Sequence, residues 1–263
     1  MTGPAGFGGD IAEPEPITFA LTSCGRFDLL ETTLVSFRRF NTCPLHRMIV
    51  IEDSGDEAVR DLCARIDPAI EVIVNPVRLG HMASLDRLYG RIATEFVFHC
   101  EDDWAFHRSG FLEESLLVLK RNASMSMVSC RGIGPNGVHN LLFEQAPKQH
   151  AGRIAYRFPP PFGDEGWEGY SFNPGLRRLS DIRALGRFAD LGSESEVGRW
   201  FVARGMRIGY LARPACETTG YMNPSESYVP RRYWQDRKLK WEIRRRRISF
   251  GAREFMRALK LRD

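Results

Sequence analysis

Three consecutive carboxylates, Glu101, Asp102 and Asp103, follow Phe96-Val-Phe-His-Cys100 and precede Trp104. Apolar, β-favouring residues running straight into clustered acids describe a strand whose C-terminal end opens into a charged site. Carboxylates this close repel one another unless a cation or water intervenes, and ligands made only of oxygen suit Mg2+ or Mn2+. The plain alternative for the tripeptide by itself is a solvated acidic turn. What favours a site is the company it keeps. Two earlier strand candidates also end in polar groups: residues 17–22 at Thr22, and residues 47–51 in Glu52-Asp-Ser-Gly-Asp56.

The elements that must position these groups follow from periodicity. Strands are expected at 17–22, 47–51, 71–75, 95–100, 126–131 and 207–211. Helices are expected at 27–40, 57–66, 80–92, 110–122, 180–191 and 195–203. A Gly-, Pro- and aromatic-rich loop runs from Arg157 to Gly175. Strands alternating with helices indicate an α/β layered fold with a mainly parallel central sheet flanked by helices. Such sheets take ligands in the crevice beyond their C-terminal strand ends, which places Thr22, Asp53 and Asp103 along one edge.

With 263 residues, 43% hydrophobic and 27% charged, the chain can bury a full core. Residues 1–16 lack the basic start and apolar core of a signal peptide and are expected to be a disordered leader. No stretch approaches the roughly 18 apolar residues of a membrane span. Cys24, Cys43, Cys63, Cys100, Cys130 and Cys216 form no CxxC pair, which favours reduced thiols and a cytoplasmic setting. The net charge of +4 conceals an asymmetry: residues 231–263 carry thirteen Lys or Arg against four Asp or Glu, leaving residues 1–230 at −5.

Four stretches, in order, resemble GT-A fold glycosyltransferases, in particular the family 2 inverting enzymes. Thr22-Ser-Cys-Gly-Arg26 falls at that family's first-strand turn, and Glu52-Asp-Ser-Gly-Asp56 resembles its Asp-Asp-Gly-Ser nucleotide-binding turn. Gly80, Ser84 and Asp86 match a Gly-x-x-x-Ala-x-Asn helix start. Glu101-Asp-Asp103 takes the place of the Asp-x-Asp metal motif. Farther on, Glu194-Ser-Glu196 followed by Arg204-Gly-Met-Arg-Ile-Gly-Tyr-Leu211 resembles the Glu-Asp-x-Asp helix and its succeeding strand. The likeness spans about residues 17–215. It implies a GT-A (nucleotide-diphospho-sugar transferase) domain over 17–225, with a nucleotide-binding half (17–104) and an acceptor-binding half (105–225).

The resemblance implies a site. Asp103 and Glu101 hold Mn2+ or Mg2+, and Asp102 points to the ribose or donor sugar. Asp53 accepts from the nucleobase, as an acceptor-only group can. Arg26 pairs with phosphate, and Thr22, Ser23, Gly80 and Asp86 complete the nucleotide contacts. Glu194 is the catalytic base, with Glu196 the second candidate, although this chain has Ser193-Glu194 where the family has Glu-Asp. Trp167, Glu168, Tyr170 and Asn173 contact the acceptor or the donor sugar, aromatic faces stacking on sugar rings. Many relatives add a late His ligand. All six histidines here precede that region, so Glu217 or water takes that place in a metal shell, the alternative being weak or absent metal dependence.

The implied activity is inverting transfer of a sugar from a nucleotide-diphosphate donor to a hydroxyl of a polysaccharide, lipid-linked glycan or lipopolysaccharide precursor. UDP is the first expectation for the nucleotide, with GDP or dTDP as alternatives. Competing readings are a nucleotidyltransferase, for which Ser23-Cys-Gly-Arg26 makes a short phosphate loop, and an inactive sugar-nucleotide-binding module. Residues 226–263, with Arg244-Arg-Arg-Arg247 among Trp234, Trp241, Phe250 and Phe255, form a basic amphipathic tail. It is suited to an anionic membrane surface on the inner, cytoplasmic face. No nucleic-acid reader motif accompanies it, so nucleic acid is not an expected partner.

Overall fold

The computed structural model describes residues 15–132, 146–158 and 166–219. Its strands are β1 (Ile17–Ser23), β2 (Arg47–Glu52), β3 (Ile70–Val74), β4 (Phe96–Glu101), β5 (Trp104–Phe106), β6 (Met125–Ser129), β7 (Lys148–Ala151), β8 (Ile154–Arg157), β9 (Gly175–Arg178), β10 (Arg207–Leu211) and β11 (Cys216–Thr218). Nine of them make one sheet in the order β3-β2-β1-β4-β9-β6-β10-β8-β7, while β5 and β11 pair separately. The helices are α1 (Phe27–Phe40), α2 (Ala58–Ile66), α3 (His81–Tyr89), α4 (Phe111–Lys120), α5 (Leu179–Leu185), α6 (Phe188–Leu191) and α7 (Glu194–Val202).

Both faces of the sheet are covered, so its central strands are apolar on both sides. Along β1, Ile17, Phe19 and Leu21 face one way and join α1, α2 and α4 in a single core. There the Phe37 ring lies 4.1 Å from Phe19 and 5.3 Å from Phe106. Ala20 faces the other way, with Ile49 and Ile51 of β2, into a second core completed by α3, α5, α6 and α7. The same alternation in β4 sends Phe96, Phe98 and Cys100 to the first core, and Val97 to the second. His99 and Glu101 lie on Val97's face.

The sheet is the expected large central sheet flanked by helices, parallel in the half that carries the polar strand ends and mixed beyond it. It is parallel across β3-β2-β1-β4 and at β6-β10. It is antiparallel where β9 is inserted between β4 and β6, and at β8, which pairs with both β10 and β7. The helix expected over 180–191 is two helices, because Gly186 at φ +88° takes a conformation that other residues rarely adopt. At the N-terminus, Glu15 is paired with Lys120 at 2.6 Å, so the expected leader ends in an ordered contact. The rest of that leader and the basic tail lie outside the described residues. Among the described residues, no helix is long and apolar enough to cross a membrane.

Candidate active site

Register aligns the polar strand ends. Ser23 of β1 lies opposite Glu52 of β2, and Thr22 lies opposite Glu101 of β4. Thr22 and Ser23 are buried at this edge, and Ser23 Oγ has no hydrogen-bond partner among the described residues. The chain then turns at Gly25 and enters α1 with Arg26 at its N-cap position.

Arg26 reaches across to the acid triplet. Its Nη2 and Nε atoms grip Asp102, and Nη1 donates to Asp103 Oδ2 at 3.1 Å. Asp102, only 2% exposed, also accepts from the Cys24 N–H at 3.3 Å. Thr33 of α1 fixes the same turn from below, donating to the Asp102 carbonyl at 2.8 Å and accepting from the Trp104 N–H at 3.0 Å. Asp102, expected at the ribose or sugar, is here the buried anchor of Arg26. Glu101 and Asp103 remain to face a ligand. Asp103 Oδ1 takes no hydrogen bond among the described residues.

At the end of β2 the roles divide differently from expectation. Glu52 is fully buried, and its Oε1 accepts from Gly25 N at 2.9 Å and Ser54 N at 2.8 Å, tying the first two turns together. Its Oε2 has no partner among the described residues. Asp53, expected at the nucleobase, is instead occupied with its own chain. It accepts from Asn75 Nδ2 at 2.7 Å and from Leu79 N and Gly80 N at 2.8 Å each. Gly80 thus presents its N–H to Asp53, at φ +83°, as the entry to α3. Asp86 is likewise engaged within the fold. It accepts from Phe188 N at 2.7 Å and Ala189 N at 3.1 Å, capping α6.

The opposite wall is α7 and the segment before β9. Ser193 caps α7, accepting from Glu196 N at 3.2 Å, which puts Glu194 in the first turn. Glu194 Oε1 accepts from the Phe172 N–H at 2.8 Å, so its side chain turns inward. Glu196 turns outward and pairs with Arg199, its side chain 48% exposed. Of the two carboxylates expected as base candidates, Glu194 is the one turned inward. Tyr170 is also corrected: it is fully buried, stacked 5.1 Å from Phe201, and accepts from Arg177 Nη1 at 2.6 Å. It belongs to the core. Asn173 folds back onto Ser171 Oγ at 2.6 Å. Trp167 is 40% exposed, and Glu168 is buried with Oε2 unpartnered among the described residues.

The turn carrying Trp167 and Glu168 lies directly on the α7 backbone. A Cβ at Gly198 would meet the Gly166 carbonyl oxygen at 1.9 Å, and one at Gly169 would meet the Gly198 oxygen at 2.0 Å. Backbone cannot yield as a side chain can. Gly198→Ala should therefore destabilise the fold by about 1–3 kcal/mol and displace the helix that aims Glu194. Thermal melting, compared with Ala substitution at exposed Glu196, reads the first effect. An unchanged melting temperature would contradict the packing.

The two walls sense each other. Burial, then the neighbouring Glu194, Asp103 and Asp102 charges, push the Glu101 carboxyl up to about 8, with Arg26 opposing. Burial pushes Asp102 up to about 6, against the pull of Arg26. Tyr210 is raised by burial, with Arg131 opposing and Glu194 and Glu168 adding to it. Glu194 thus acts electrostatically on both Glu101 and Tyr210, and Glu168 on Tyr210.

No group of three or more His, Cys, Asp or Glu side chains is arranged to hold a metal among the described residues. Glu217, the expected substitute ligand, lies in β11 opposite Ala105 and is exposed. Two hard carboxylates, Glu101 and Asp103, do fit Mg2+ or Mn2+, which are commonly held by one or two carboxylates with substrate phosphates and water.

His81, which carries no signal in the sequence, opens α3 beside the Phe172 ring, 4.8 Å between centroids. Burial lowers its pKa from 6.5 to about 4, with Asp53 opposing. The folded protein thus resists a proton that the unfolded chain accepts. The penalty is absent above pH 6.5, grows as pH falls, and is complete below about pH 4, amounting to at most about 3 kcal/mol. His81→Phe should flatten stability against pH in that window. An equally steep acid limb in denaturant titrations of the variant would refute it.

This architecture is the GT-A-like glycosyltransferase fold, a class set by its likeness to solved structures. The mannosyltransferase PcManGT from Pyrobaculum calidifontis, in complex with GDP-Man and Mn2+, superposes with a TM-score of 0.59 at 17% identity, covering 92% of this chain and 64% of that one. S. aureus TarS 1–349 gives a TM-score of 0.55 at 14% identity, covering 78% of this chain and 60% of that one. The same TarS fragment in complex with UDP-GlcNAc gives 0.57 at 13% identity, with 81% and 62% covered. The chain spans less than two thirds of the length of these relatives, and at such identities the likeness is one of fold. No family model matches the chain. No curated protein matches it either.

Proposed function

We propose that the chain is a nucleotide-sugar glycosyltransferase acting with inversion. The observation that carries this reading is that Glu194 of α7 turns inward onto the Phe172 N–H, close enough to Glu101 at the end of β4 for its charge to raise the Glu101 carboxyl. In this reading Glu101 and Asp103 would hold Mn2+ or Mg2+, which would supply positive charge to offset that of the departing nucleotide. Thr22, Ser23 and the Gly25 turn, which Glu52 braces from beneath, line the nucleotide side. Glu194 removes the proton of the acceptor hydroxyl on the face opposite the leaving group, which is what inversion requires. Phe172 N–H fixes one of its oxygens and leaves the other for that proton. Trp167 and Glu168 form the acceptor platform, an exposed aromatic face beside a buried carboxylate.

The neighbours bind GDP-Man in one case and UDP-GlcNAc in another, which supports a UDP or GDP donor here. The test is a nucleoside-diphosphate release assay with each donor over a panel of glycan and lipid-linked acceptors, the product's anomeric configuration read by NMR. An α-linked donor giving a β-linked product supports the reading; retained configuration overturns it.

The acceptor class follows from the basic tail, residues 226–263, read as a contact to an anionic bilayer. The full chain should float with vesicles containing about a third phosphatidylglycerol at low salt, and lose them when four arginines, 244–247, become Gln. Flotation unchanged by that substitution would remove the membrane from the proposal.

A further inference from the structure

Arg26 holds an unusual position for a residue expected to bind phosphate. Its guanidinium lies within the acid triplet, with two nitrogens on Asp102 and the third, Nη1, on Asp103 Oδ2. The two contacts differ in kind. Asp102 is buried and also held by Cys24 N, so that half of the grip is structural. Asp103 is 20% exposed and has no second donor among the described residues, so that half can be exchanged. Asp103 is also the carboxylate placed to bind a cation. A planar guanidinium spanning two carboxylates supplies the positive charge that a divalent ion would otherwise bring.

We propose that Arg26 is an internal counterion that competes with the divalent cation for Asp103 and is handed to the donor diphosphate when the cation binds. The inference rests on the metal reading of Glu101 and Asp103. With Asp102 still clamped by Nε and Nη2, release of Nη1 from Asp103 makes that N–H available for exchange while the rest of the guanidinium stays in place. The donor diphosphate, rich in anionic oxygens, would be a suitable acceptor for it. Cation and donor then favour each other's binding, and the coupling is reciprocal by linkage. Without donor the site holds a cation weakly, which guards against idle occupancy.

The test is Mn2+ binding to the full-length protein without nucleotide, followed by the loss of the free-ion EPR signal. Arg26→Met removes the competitor, and Mn2+ should bind about tenfold more tightly. Damage to a merely structural residue would weaken binding, so the sign is diagnostic. Because Asp102 loses its buried partner in that variant, Arg26→Lys provides the second arm. Its ammonium can pair with Asp102 but lacks the fork that spans to Asp103, so Mn2+ should again bind more tightly than to the parent protein. Adding UDP or GDP should raise Mn2+ affinity in the parent by a larger factor than in Arg26→Lys.

Equal or weaker Mn2+ affinity in a folded Arg26→Lys protein would overturn the counterion role while leaving the metal site intact. If Mn2+ bound neither the parent nor the variants, and Asp103→Asn made no difference with nucleotide present, the metal reading itself would fall and the counterion role with it.

Discussion

Glu194→Gln should lower kcat by about a hundred- to ten-thousandfold, the range contributed by a positioned general base, while leaving the fold and donor affinity unchanged. Glutamine keeps an oxygen for the Phe172 N–H, which holds Glu194 at 2.8 Å, so the side chain need not swing away. What is lost is the group that accepts the acceptor's proton. The informative comparison is Glu196→Gln on the same helix. Glu196 points outward to Arg199, and its loss should change kcat by less than about twofold. Rates measured under single-turnover conditions, with calorimetric donor affinities, separate chemistry from binding. Equal rate losses for the two variants would mean that neither carboxylate acts as the base.

The second large effect belongs to Asp103. Asp103→Asn should abolish the Mn2+-dependent part of donor binding and reduce kcat/KM by at least about a hundredfold, because an amide is a poor ligand for a hard divalent ion. Its neighbour should behave differently. Asp102→Asn leaves the Arg26 fork with a weakened, nearly buried partner, and breaking a buried pair costs about 3–5 kcal/mol at the upper end. Asp102→Asn should therefore show mainly as a lower melting temperature, and Asp103→Asn mainly as lost metal response. Melting curves and Mn2+ titrations of the two proteins distinguish anchor from ligand. The reverse pattern would exchange their roles.

These roles are only partly legible in the sequence. The first four parallel strands and their helices follow from plain apolar periodicity, and so does the alignment of polar strand ends along one edge. β9 is not legible, because Gly175-Leu-Arg-Arg178 looks like surface and the fully buried Arg177 contradicts the usual exposure of arginine. Its guanidinium is accommodated by the Tyr170 hydroxyl and the Asn173 and Gly175 carbonyls, partners that only the folded chain assembles. For the same reason Tyr170 reads as a sugar platform until the fold is known. Spacing places the carboxylates at the strand ends but does not give their partners. Asp53 and Asp86 satisfy backbone N–H groups far along the chain, and Asp102 meets Arg26 across 76 residues. Glu52 stands in the same turn as Asp53, and only burial and an empty Oε2 distinguish it. The glycines at 166, 169 and 198 give no sequence signal at all, since their spacing has meaning only once the turn lies on α7.

Donor binding by the full chain tests the glycosyltransferase reading most directly. Titration calorimetry with UDP-, GDP- and dTDP-linked sugars, each with and without Mn2+, should show one nucleotide class binding, more tightly with Mn2+, and the Mn2+ gain should vanish in Asp103→Asn. Absence of binding by every donor, with or without the metal, would contradict it.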